Sequence, residues 1–168
     1  NKNQQMKQRN NGAIGGLLDE YEKSLNELIE VIKDLSPAQL TEIIDPATKD
    51  PECRSIQTIL THVVESGYGY AIVIRKWLGE TIEYRDKQMH ESSNAYCVAL
   101  NEMFLFNEKL FADYPNIKIE EKESSKKIKV RWGQEYDVEQ LFEHAIVHIL
   151  RHRRQIEKFK LKTTGPSA

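Results

Sequence analysis

Apolar residues recur at the three- and four-residue spacing of an α-helix along four long stretches of the chain. The pattern predicts helices over about 13–35, 56–78, 93–113 and 138–160. Each stretch has an apolar stripe and a charged opposite side, as the helices of a bundle do. Four helices of this length predict an all-α protein, an antiparallel up-down-up-down four-helix bundle.

The connecting segments carry local signals of their own. Ser36-Pro37, with Gln39 three residues after the serine, has the form of a helix cap and predicts a short extra helix after the first long one. Between the third and fourth long helices, apolar and polar residues alternate on both sides of a Ser-Ser pair. This alternation predicts a small β-hairpin over about 117–132, turning at the serines.

Length and composition indicate one globular domain. The chain has 168 residues, of which 39% are hydrophobic and 30% charged, and we expect a single domain over 12–162 with flexible tails at 1–11 and 163–168. The net charge of −2 argues against nucleic acid as a partner. No apolar run is long enough to span a membrane, and the polar start does not resemble a secretory signal.

The two cysteines, Cys53 and Cys97, are too few for a disulfide framework, so we expect free thiols and a cytoplasmic location. Apolar residues occupy more than one stripe on the second and third long helices, whereas a monomeric bundle need bury only one. This surplus predicts a homodimer that associates through helix faces.

The fourth long helix contains His144, His148 and His152 at four-residue intervals. Residues eight apart on a helix are separated by about 12 Å along its axis, so one metal ion cannot bind all three. The apolar stripe of the helix includes His148 and His152, whereas His144 lies on a more polar neighbouring row. The inward pair could bind a metal, or could be ordinary core histidines bonded to other side chains, and the pair alone leaves both open.

A third ligand would have to come from another helix. His62 lies at the edge of the apolar face of the second long helix, and the small residues Ser66 and Gly69 follow it on the same row. Small side chains beside a histidine leave the kind of space that a substrate pocket needs. The alternative is an ordinary histidine at the core boundary. We expect His90, in a polar connector, to be exposed and uninvolved.

Several stretches together resemble one family. The order His62, then His148-x3-His152-Arg-x-Gln155, with the stretches "GAIGGLLDEYEKSLNELIEVI" and "SIQTILTHVVESGYGY", resembles the DinB/YfiT-like family of metalloenzymes over residues 12–160. The resemblance implies a four-helix bundle, a divalent metal held by His62, His148 and His152, and frequent homodimers. It also implies the activity of a thiol-dependent transferase or isomerase that uses a low-molecular-weight thiol such as bacillithiol or mycothiol. Arg154 departs from the small residue, often glycine, that is common there.

Three imidazoles leave a fourth coordination position open, as in catalytic metal sites. We therefore expect a metal-dependent S-transferase, isomerase or hydrolase that acts on a small molecule through a metal-bound thiol or water. Zinc or nickel is expected, and iron, manganese or cobalt would also fit the donors. The alternative is a non-catalytic metal-binding helical protein that acts as a dimeric interaction module, whose metal site would be closed rather than open to a pocket.

Four more residues are candidates for the site. Gln155 follows His152 on the same stripe and Glu65 lies one turn from His62, so either could orient a ligand histidine. Glu65 could equally be a solvated surface residue. Arg151 and Arg153 could contact an anionic substrate group, or could simply complement the dipole at the end of the helix.

Overall fold

The computed structural model describes residues 9–10 and 12–167, and its regular structure is almost entirely helical. The elements are α1 (Gly12–Ile32), α2 (Pro37–Thr41), α3 (Ile56–Trp77), α4 (Ser93–Asp113), β1 (Ile128–Lys129), β2 (Glu135–Tyr136) and α5 (Val138–Lys160). Short 3₁₀ turns lie at Pro51–Cys53 and Ser124–Lys126. The structure thus confirms the prediction of a mostly helical chain with a small antiparallel hairpin between the third and fourth long helices.

Side-chain caps define where several helices begin. Ser36, Ser55 and Asp137 each accept a hydrogen bond from the backbone amide three residues later. In each case the side chain at that third position bonds back to the amide of the capping residue. These reciprocal bonds satisfy amides that have no partner within the helix, so the start of α3 and of α5 is set by local sequence.

The hairpin lies later in the chain than the alternating pattern predicts. Ile128 pairs with Tyr136 and Lys129 with Glu135, and the chain reverses at Gly133 rather than at the two serines. Gly133 has a φ of 90°, which a residue without a Cβ adopts at little cost. The segment around Ser124 forms a 3₁₀ turn instead. The predicted position of the turn was therefore wrong, although a hairpin is present.

The long helices pack around a shared core. α1 contacts α4 and α5, and α3 also contacts α4 and α5. Tyr21 of α1 is fully buried, and its ring packs edge-on against Phe104 of α4 at 5.7 Å and Phe142 of α5 at 6.1 Å. The direct contact of α3 with α5 places the two histidine-bearing helices side by side.

On α5 the buried side chains follow the predicted stripe, which includes Leu141, Ala145, His148, His152 and Phe159. Charged residues occupy the opposite side, as in a helix that covers a core with one face. No helix in the described part of the chain is long and apolar enough to cross a membrane.

The predicted flexible tails, 1–11 and 163–168, fall partly outside the described residues. Of the described ones, Arg9 donates hydrogen bonds to Asp19 and to Glu108. At the other end, the amide of Thr164 donates to Glu42 at 2.9 Å, which joins the C-terminal segment to the region just after α2.

Candidate metal centre

Two facing helices bring three imidazoles together. His148 and His152 project from adjacent turns of α5, and His62 projects from α3. The Nε2 atom of His148 lies 2.9 Å from Nε2 of His62 and 3.2 Å from Nε2 of His152. One nitrogen from each ring lies within 4.8 Å of the others. Ligand nitrogens about 2.0–2.1 Å from a tetrahedral ion would be about 3.3 Å apart, so small ring movements would fit one ion.

Burial keeps these imidazoles neutral. His148 and His152 are each 5% exposed, and His62 is half-buried. Loss of hydration lowers the pKa of all three rings, and the neighbouring rings lower the pKa of His148 further. Because only a neutral imidazole has a lone pair to offer a metal, the cluster is ready to ligate at neutral pH.

The outer nitrogens of two rings have acceptors. Nδ1 of His62 lies 2.8 Å from a carboxylate oxygen of Glu52, and Nδ1 of His152 lies 2.9 Å from Oε1 of Gln155. Each acceptor draws the ring proton to Nδ1 and leaves the Nε2 lone pair directed at the centre of the cluster. Histidine ligands of metals in proteins characteristically have such partners. The donor set therefore fits a divalent ion.

Glu52 is a contact that the sequence did not indicate. It lies in the 3₁₀ turn just before α3, where the Asp50 side chain accepts a hydrogen bond from the Glu52 amide. Its second carboxylate oxygen pairs with Lys87 from the connector between α3 and α4. The only local signal is the Asp50-Pro51 turn, and nothing in the sequence shows that this turn folds back onto His62.

Glu65, the acidic residue that the sequence suggested, makes different contacts. Its Oε1 atom is buried and has no hydrogen-bond partner among the described residues, and burial raises the pKa of its carboxyl group. The carboxylate bonded to His62 is that of Glu52. By contrast, Gln155 lies against His152, as its position on the stripe suggested.

The other two histidines lie outside the cluster of three. His144 stacks on the indole of Trp132, with ring centres 5.4 Å apart and planes 26° apart. His90, expected from the sequence to be exposed, is half-buried and lies against Tyr96, with ring centres 5.0 Å apart and planes nearly perpendicular. The group of possible ligands in the described part of the chain is His62, His148 and His152.

The two arginines proposed as substrate contacts face different ways. Arg151 is exposed and lines a cavity that also contacts His62 and His148. Arg153 forms an ion pair with Glu27 of α1. The structure therefore brings Arg151 to the histidines and directs Arg153 toward the neighbouring helix.

A cavity of about 310 Å³ opens beside the histidines. Ser66 and Gly69 of α3 line it, so the small residues after His62 border open space, as the sequence suggested. Its other walls come from α5, from the connector before α4 and from the β1–β2 hairpin. The wall residues that the sequence did not indicate are Tyr70, Val73, Tyr84, Val130, Arg131, Trp132 and His144.

The sequence model of the DinB family matches residues 6–159, which is nearly the whole chain and includes all three clustered histidines. The chain belongs to the DinB family. No curated protein and no solved structure matches it closely enough to count as a relative.

Both cysteines of this DinB-family chain are free thiols, as predicted. Cys53 lies next to Glu52, and its Sγ donates a hydrogen bond to Asp50 at 3.4 Å. Burial raises the pKa of the Cys53 thiol, so it is protonated at neutral pH. A protonated thiol is a poor nucleophile, so the three histidines are a stronger candidate site in this DinB-family chain than Cys53.

Proposed function

We propose that this DinB-family protein is a metal-dependent enzyme in which His62, His148 and His152 hold a divalent ion. The observation that carries the proposal is the convergence of three neutral imidazole nitrogens beside a cavity of about 310 Å³. An ion held by three imidazoles would have a coordination position left, at which it would supply Lewis acidity and lower the pKa of a bound thiol or water. We favour thiol-dependent S-transfer or isomerisation, in which a thiol would bind the ion. Hydrolysis is the alternative reaction, in which water would bind the ion instead.

The residues of the chain have separable tasks in this proposal. Glu52 and Gln155 accept hydrogen bonds from the outer nitrogens and hold the rings in the ligating tautomer. The cavity would hold a small molecule next to the cluster. A purely structural metal site would be closed, so an open cavity at the histidines supports an enzyme over a non-catalytic interaction module.

We also infer that the four long helices form the antiparallel up-down-up-down bundle that the sequence predicts. The contacts of α1 with α5, α5 with α3, α3 with α4 and α4 with α1 form a closed ring, which supports a bundle of four helices. In this ring α1 lies opposite α3 and α4 lies opposite α5, so the up-down-up-down order of helix directions rests on the sequence prediction alone. In such a bundle the histidines of α3 and α5 would face each other across one seam.

We propose that the chain forms a homodimer and lies in the cytoplasm. Val98 and Leu105, seven residues apart on α4, are 50% and 58% exposed, and two apolar residues on one helix face support association through that face. Sedimentation at micromolar concentration should give the mass of a dimer, and a monomer would contradict the proposal. The free thiols support a reducing compartment.

The decisive experiment starts with metal analysis of protein purified without a histidine tag. We expect one divalent ion per chain, most readily zinc or nickel, and its loss in His152→Ala. The loaded protein is then screened for transfer of low-molecular-weight thiols to electrophilic small molecules. Activity that is present in the wild type and absent in His152→Ala, together with metal that is retained in His144→Ala, would support the proposal. A chain that binds no divalent metal would refute it.

A further inference from the structure

Aromatic rings form much of the apolar wall of the cavity beside the histidines. The rings of Tyr70 and Trp132 lie nearly perpendicular, with centres 6.4 Å apart. The His144 ring stacks on Trp132. Val73 and Val130 add aliphatic surface. An apolar cavity of about 150 Å³ accommodates a benzene ring. The 310 Å³ here therefore suits one ring with a short substituent.

The charge of the lining has one sign. Arg131 and Arg151 line the cavity, and no aspartate or glutamate is among its described lining residues. Neither guanidinium forms an ion pair with a described residue, whereas Arg153 of the same helix as Arg151 is paired with Glu27. The cavity thus combines an apolar interior with cationic donors that the protein itself leaves free.

Arg131 is held in a defined orientation. The carbon of its guanidinium lies over the Tyr84 ring, 3.9 Å from the ring centre, and this cation–π contact restrains the side chain. The planar fork of an arginine matches the two oxygens of a carboxylate. Arg151 approaches from α5, so the two cations come from different walls of the cavity.

From this arrangement we propose that the cavity binds a small aromatic carboxylate. Its ring lies against Tyr70 and Trp132, and its carboxylate faces Arg131 and Arg151. The inference deepens the proposed function, since it names the class of molecule presented to the histidine cluster. A neutral molecule of the same shape would offer the two guanidiniums neither a negative charge nor the paired oxygens of a carboxylate, and would bind less tightly.

The test uses benzoate as the probe and benzamide as its neutral counterpart of the same shape. The chain has two tryptophans, so in a Trp77→Phe background Trp132 is the sole fluorescent indole and reports directly on the cavity. Titrations at constant ionic strength are made on the protein as purified and again with a chelator. Variants are Arg131→Gln, Arg151→Gln and, as the matched control, Arg154→Gln, an arginine of α5 that does not line this cavity.

We expect a saturable change of Trp132 emission with benzoate and an affinity for benzamide at least about tenfold weaker. Arg131→Gln and Arg151→Gln should each weaken benzoate binding about tenfold, while Arg154→Gln changes it less than about twofold. Equal affinities for the two probes, equal losses in Arg151→Gln and Arg154→Gln, or no saturable change would each overturn the inference. So would binding that the chelator abolishes and the arginine variants leave unchanged, since the anion would then be bound by metal alone.

Metal content measured on the same samples separates the two proposals. Stoichiometric metal without benzoate binding would overturn the cavity inference and leave the metal-dependent function standing. Benzoate binding that depends on Arg131 and Arg151 in a chain that takes up no metal would support the cavity inference and refute the proposed function.

Discussion

The hydrogen bond between His62 and Glu52 should decide how tightly a metal is held. His148 and His152 share one helix, so their relative position is set by α5 itself. His62 is the sole member of the cluster from α3, and its Nδ1 lies 2.8 Å from the Glu52 carboxylate. In Glu52→Ala the ring loses this acceptor, can rotate, and can carry its proton on the nitrogen that would ligate. We expect weaker metal binding.

The structure indicates the size of the effect. Loss of a hydrogen-bond partner behind a ligand histidine typically costs about 10- to 100-fold in metal affinity, or about 1.4–2.7 kcal/mol. The Glu52 side chain is 30% exposed and also pairs with Lys87, so both water and a cation already reduce its hold on His62. We therefore expect about tenfold for Glu52→Ala. Glu52→Gln keeps an acceptor oxygen without the charge and should cost about threefold.

Competition with a chromophoric chelator for Zn²⁺ measures these affinities. The matched control is Glu65→Ala, which removes a carboxylate one helical turn from His62 that does not bond to it. We expect this control to remain within about twofold of the wild type. A Glu52→Ala affinity equal to that of the wild type, or a larger loss in Glu65→Ala, would show that Glu52 does not orient the ligand.

Three further predictions concern the cluster and the helix beside it. His148→Ala should abolish stoichiometric metal in elemental analysis and His144→Ala should retain it; the reverse would mean that the wrong pair was assigned. Burial lowers the pKa of His148, so only the unfolded chain takes up its proton, and stability is lost as the pH falls. Urea unfolding of metal-free protein should show about 1.7 kcal/mol less stability at pH 5 than at pH 6.5 from this residue, and a flat profile would contradict it. Gly67→Ala should destabilise by about 1–3 kcal/mol in thermal unfolding, because the new Cβ would lie 2.3 Å from Sδ of buried Met103. Gly69→Ala, with no neighbouring atom within 4 Å, should stabilise by about 0.5–1 kcal/mol, and equal effects would refute the contrast.

The helices and the pairing of two histidines were predictable because their causes are local. The predicted range of the fourth helix, 138–160, coincides with α5, since Asp137 and Gln140 cap its start. The same helical geometry separates His144 from the inward pair. The first helix was predicted three residues too long, because the chain turns after Ile32.

The rest of the site depends on contacts between distant segments. Glu52 reaches His62 because the 3₁₀ turn packs against α3, and Lys87 comes to Glu52 from a connector without regular structure. Trp132 stacks on His144 because the hairpin reverses at Gly133, which moves the indole to the cavity. Such contacts have no periodicity or fixed spacing in the sequence, so hydrophobic patterning could not predict them.

The histidine cluster is costly for the fold without a bound cation. Burial removes water from the rings, and the bonds to Glu52 and Gln155 hold protons on the outer nitrogens of His62 and His152. The inner nitrogens of these two rings then offer lone pairs to His148, whose single N–H at Nε2 can be donated to only one of them. At least one buried lone pair stays unsatisfied, at about 1–3 kcal/mol. Aliphatic side chains in place of the three histidines would avoid this cost of an unsatisfied lone pair. The contacts that orient the rings therefore favour the binding of a cation rather than the stability of the metal-free protein.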